Sequence, residues 1–67
     1  MNITARNGRW VVRMDWPEAH EAHEDSSPVE RAISAVADRH DVASEQLRSS
    51  VVRASEGGMT VVVESDG

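Results

Sequence analysis

The sequence contains no cysteine, lysine, tyrosine or phenylalanine, and only two prolines and two tryptophans. Without cysteine there is no disulfide framework, a composition that suits a reducing compartment. No stretch approaches the roughly 18 apolar residues of a membrane helix. No basic segment followed by an apolar run opens the chain as a secretory signal would. Neither membrane spanning nor secretion is therefore expected, and cytoplasm is the default. A Gly-rich phosphate loop, a Ser-His-Asp arrangement and a pair of carboxylates that a formed pocket would hold are all missing. A chain of this length would hardly enclose a site of roughly 300 Å³. No catalytic residue, cofactor or small-molecule substrate is expected.

What is present fits one small domain spanning residues 1–67. Such a domain buries only about 60% of the surface that its unfolded chain exposes. With no covalent staple, stability is expected to lean on self-association, a partner, a bound ion or high salt, with oligomerisation first among these. Seven arginines stand against twelve acidic residues, for a net charge of −5. The Lys-free composition, rich in acids, Ala and Val, suits a GC-rich genome or a salt-adapted cytoplasm, and composition does not separate the two. A net negative charge disfavours nonspecific binding to nucleic acid, although charge distribution can override it.

The organising stretch runs from Ser27 to His40. Ser27 is a candidate N-cap, Pro28 falls where a missing N–H costs nothing, and Glu30 stands at the capping-box position. Val29, Ala32, Ile33, Val36 and Ala37 then form one stripe, with Glu30, Arg31, Ser34, Asp38 and Asp41 mostly opposite. The spacing predicts a helix over Pro28–His40 that needs a surface to lie on.

Two hairpins supply it. Asn7-Gly8 tolerates the positive φ of a type I′ turn. Reading outward opposes Arg6 to Arg9, Ala5 to Trp10, Thr4 to Val11 and Ile3 to Val12. One face is then Ile3, Ala5, Trp10, Val12 and Met14; the other is Thr4, Arg6, Arg9, Val11 and Arg13. Trp16-Pro17 is expected to end the second strand, with both tryptophans turned to the core and Trp16 the more exposed. Residues 18–27 read as a polar, solvated connection with at most one helical turn. Asp41 to Ser50 reads as a tight connection with a short helical turn capped by Ser44. VVRAS and MTVVVES form the second hairpin, its turn placed at Gly57-Gly58. Val52, Ala54, Val61 and Val63 share one face, and Val51, Arg53, Ser55, Thr60, Val62 and Glu64 the other. Val61-Val62-Val63, apolar on both faces, suggests an interior strand. Residues 65–67 are expected to fray. The expected fold is α+β: a four-stranded antiparallel sheet in ββαββ order with one main helix on one face.

Two constellations invite a functional reading. His20 and His23, three apart among carboxylates, are weak candidates for a Zn, Ni or Cu site; the plainer reading is a solvated acidic segment. On the open sheet face Arg6, Arg9, Arg13 and Arg53 gather with Val11, Val51 and Val62. That surface suits a protein, either a second copy or a regulator, with Val for contact and Arg for carboxylate pairing, and a homodimer through this open face or an edge strand is expected. Alternatively the same arginines would read nucleic acid by neutralising phosphates, and the plainest reading is arginine solvating an open sheet.

The strand end Arg13-Met14-Asp15-Trp16, the run Ser27-Pro28-Val29-Glu30-Arg31-Ala32-Ile33-Ser34-Ala35-Val36-Ala37-Asp38, and Asp41-Val42 followed by Leu47 resemble the halobacterial output domain over roughly half of the chain. His40-Asp41 stands where that family's connection carries Gly, and the acidic, aromatic-containing segment after Leu47 is replaced by Arg48-Ser49-Ser50. The resemblance implies a salt-adapted archaeal cytoplasm and a small accessory domain of signalling or regulation, without catalytic residues.

Overall fold

The computed structural model describes residues 1–65. Strands β1 (Asn2–Arg6) and β2 (Arg9–Met14) are followed by helices α1 (Trp16–Asp25) and α2 (Pro28–His40). A single 3₁₀ turn (Ser44–Gln46) then leads into β3 (Leu47–Ser55) and β4 (Gly58–Ser65). All strand pairs are antiparallel, in the order β1-β2-β4-β3. The α+β class and the four-stranded sheet are as expected, but the order is ββααββ, with two helices rather than one.

The first hairpin has the expected register, Ile3 opposite Val12 through Arg6 opposite Arg9. Its turn residues Asn7 and Gly8 take φ of 50° and 77°, which type I′ geometry requires. The second strand stops earlier than expected, at Met14. Asp15 leaves the ladder to cap α1, its Oδ1 accepting the Glu18 N–H at 2.9 Å. Residues 18–27, expected as a solvated connection, thus contain most of a ten-residue helix. Asp15-Trp16-Pro17-Glu18 is itself a helix-start signal, an acid at the N-cap with Pro and Glu in the first turn. The alanines Ala19 and Ala22 are buried, so α1 comes in close on small side chains. Trp16 is accordingly the first residue of α1 and not a strand residue, and its indole N–H donates to the Ser55 carbonyl at 2.8 Å.

Helix α2 has the expected bounds, and Ser27 Oγ accepts the Glu30 N–H at 3.0 Å. It ends at Asp41, whose backbone is left-handed (φ 53°, ψ 47°), and the Val42 N–H reaches back to the Ala37 carbonyl at 3.1 Å. That six-to-one bond closes the helix in the manner of a Schellman motif. Ser44 opens the 3₁₀ turn but gives it no side-chain cap; Ala43 precedes it.

β3 begins at Leu47, earlier than expected, and the turn is Glu56-Gly57, with Ser55 opposite Gly58. Moving a two-residue turn by one position shifts the register by two, which returns every side chain to its original face. The expected faces therefore survive: Val52 opposes Val61 and Val51 opposes Val62. A bulge between Ser49 and Val51 brings Leu47 to the helix side. β4 lies inside the sheet, as its apolar run suggested. Ser65, expected to fray, pairs with Leu47; the expectation for residues 66 and 67 lies outside the described residues.

The core sits between sheet and helices: Val12, Met14, Ala19, Ala32, Val36, Leu47, Val61 and Val63, edged by Ile3, Trp10, Trp16, Ile33, Val42 and Met59. Val12, Val36, Val61 and Val63 are fully buried. Each contributes about 2 kcal/mol by removal from water. No helix among the described residues is long and apolar enough to cross a membrane.

Candidate functional site

Both helices lie on one side of the sheet, so the other side is open, and the pairing places its residues in three rows. The middle row, from β1 to β3, is Thr4, Val11, Val62 and Val51. On one side of it run Arg6, Arg9, Glu64 and Arg48; on the other run Asn2, Arg13, Thr60 and Arg53. The expected site residues Arg6, Arg9, Val11, Arg13, Val51, Arg53 and Val62 are thus brought together on one face. Antiparallel pairing is the cause, because directly opposed residues point to the same side.

Arg48 completes the array and was not legible from sequence. Strict alternation backward from Val51 and Arg53 would put Ser49 on this face. The bulge inserts one residue and so moves Arg48 there instead. Among the described residues, five of the seven arginines therefore occupy the outer face, and Glu64 is the single carboxylate in the three rows.

Glu64 organises one row. Its Oε1 lies 2.7 Å from Arg9 Nε and its Oε2 3.7 Å from Arg48 Nη2, while its side chain keeps only 18% exposure. The two arginine side chains remain 59% and 65% exposed. Val11 and Val62 are half-buried and Val51 is exposed; Arg6, Arg9 and Asn7 join Val11 and Val62 around a shallow hollow of about 180 Å³. An apolar strip flanked by guanidinium groups can bury aliphatic contact at its centre and pair carboxylates or phosphates at its margins.

The helical side has the opposite character. α1, α2 and their connections carry nine acidic residues against Arg31 and Arg39. Arg31 lies 3.3 Å from Asp25. The molecule is therefore polarised, with a basic sheet face and an acidic helical face.

His20 and His23 both reach a groove of about 270 Å³ lined also by Trp16, Ala19, Pro28 and Met59. His40 is not with them; its ring stands 5.5 Å from Trp10 at the far end of α2. Among the described residues no group of three or more His, Cys, Asp or Glu is placed to hold a metal ion. Trp10 and Trp16 lie on the helix side, so the arginine face has no aromatic ring.

Comparison with protein-family models, with curated proteins and with solved structures gives no significant match, and the functional reading rests on this chain's own residues.

Proposed function

We propose that the chain is a non-enzymatic interaction domain with a regulatory or signalling accessory role, which receives an acidic protein on its outer sheet face. The observation that supports this reading is the apolar row Thr4-Val11-Val62-Val51 set between two arginine-bearing rows. Protein interfaces combine an apolar centre with Arg, which pairs carboxylates in a fixed fork. A second copy stacked face to face would oppose the guanidinium groups of both sheets, so the occupant is an acidic surface instead. An accessory role in a salt-adapted cytoplasm belongs to the same proposal.

A second reading is favoured by the arginine count: five guanidinium groups on one face also suit a phosphate backbone. It is the weaker because stacking platforms for bases are aromatic, and both tryptophans lie on the other side.

Fluorescence anisotropy separates the two readings, with a labelled peptide of alternating Glu and Val in one arm and duplex and single-stranded oligonucleotides in the other. Saturable peptide binding is expected, weakened about tenfold or more by Arg9→Ala with Arg13→Ala, and similarly by Val62→Glu. Valine contact should preserve part of the peptide affinity at high salt, whereas phosphate binding would fall steeply. Tighter binding of the oligonucleotides would establish the second reading. No saturable binding in either arm, or binding unchanged in the double arginine variant, would overturn the role assigned to this face.

A further inference from the structure

β1 and β3 are the edge strands of the sheet. β1 is short, five residues, but β3 runs for nine. Its two halves differ. Leu47 is buried and Ser49 half-buried on the α2 side, whereas every residue from Ser50 to Ser55 is exposed. Among the described residues Val51 (39%) and Val52 (46%) are two of the three exposed large hydrophobic residues, and they project from opposite faces of the same strand.

Edge strands offer unpaired N–H and C=O groups, and proteins commonly blunt them with lysine, proline, bulges or brevity. In β3 the bulge stands at one end, before Val51. At the other end the Ser55 carbonyl accepts the Trp16 indole N–H. Between these limits Val51-Val52-Arg53-Ala54 keeps an unbroken register with β4 and contains neither lysine nor proline.

We propose that this edge pairs with the same edge of a second copy, antiparallel across a two-fold axis at Val52, to make a continuous eight-stranded sheet. The register follows by elimination. Opposed residues in an antiparallel pair share a face, so the axis must pass through a residue position. An axis at Arg53 opposes two guanidinium groups. An axis at Val51 runs into the bulge, and one at Ala54 opposes Val52 to Glu56, which lies in the turn beyond the end of β3. The axis at Val52 sets Val52 against Val52 on the helix side and Val51 against Arg53 of the second copy on the other. There the Arg53 stem can cover the valine while its head stays in water. Because α2 shields only the Leu47 end, antiparallel pairing puts the two helical layers at opposite ends of the shared ladder.

This association is independent of what occupies the arginine face, and it has the opposite salt dependence. Two copies of net charge −5 repel at low salt. Raising salt screens that repulsion and leaves apolar and backbone contacts in place, so dimer should increase with KCl. A head-to-tail stack of arginine face on acidic helices would instead weaken.

The test is molar mass by light scattering on the full chain, up to about 1 mM protein, in about 0.1 M and about 2 M KCl. Dimer that grows with concentration and salt is expected. Val52→Lys, at an exposed position that leaves the fold intact by circular dichroism, should raise the dissociation constant about tenfold or more. Thr4→Lys, at the other edge, should leave it unchanged. Amide exchange should slow within Val51–Ala54 as dimer forms. A monomer in both salts at the highest concentration, a dimer indifferent to Val52→Lys, or a mass that falls with salt would each overturn the proposal.

Discussion

Gly58 stands where β4 begins, hard against the end of β2. Its φ is +143°, and a Cβ there would collide with the Met14 carbonyl oxygen and come within 2.9 Å of the Asp15 Cα. Both neighbours are backbone, and the second is the cap of α1, so neither can give way cheaply. Gly58→Ala combines backbone strain with overpacking and should cost about 3 kcal/mol. Urea unfolding checks this, and a loss below about 1 kcal/mol would contradict the close approach. Gly57, one residue earlier, has open space around its Cα. Two adjacent glycines that look equivalent in sequence thus have different duties, and the turn falls on the one with room. Reading them as a pair places the turn one residue late, and the faces are unchanged because a register shift of two residues preserves them.

At the scale of the element, the two helices show why one was legible and the other was not. α2 announces itself twice, by its Ser27-Pro28 start and by a stripe of Val, Ile and Ala at helical spacing. α1 has an equally good start at Asp15-Trp16-Pro17-Glu18, but only Ala19 and Ala22 mark its buried face. Periodicity weighted toward large apolar residues overlooks a helix seated on alanine. The strands were legible where two-residue alternation runs unbroken, as in β1 and β2. Alternation failed at the β3 bulge, which hid Arg48 from the site. α2 also carries a correctable flaw at its end. Asp41 holds a left-handed conformation at φ 53°, where glycine carries no Cβ penalty. Asp41→Gly should therefore stabilise the fold by about 0.5–1 kcal/mol. A measured destabilisation would mean that the Asp41 carboxylate has a role that its backbone geometry does not explain.

For the whole molecule, charge separation between the two layers is the property from which the functional account follows. Arginine is confined largely to the sheet face and acid largely to the helical face, so a net charge of −5 conceals a basic surface. The outer face was legible in sequence because the Asn7-Gly8 turn fixes one hairpin and valine alternation fixes the other. Its full extent required strand order, which no local pattern encodes: β4 between β2 and β3 joins the two arginine groups into one array. The most direct test of that array as the interaction surface is residue-resolved. A ¹⁵N-labelled chain titrated with the alternating Glu-Val peptide should show amide shifts centred on Val11, Val62 and Val51 and spreading to the arginine rows. Shifts confined instead to Trp16, His20, His23 and Met59 would place binding in the groove on the helical side and contradict the account.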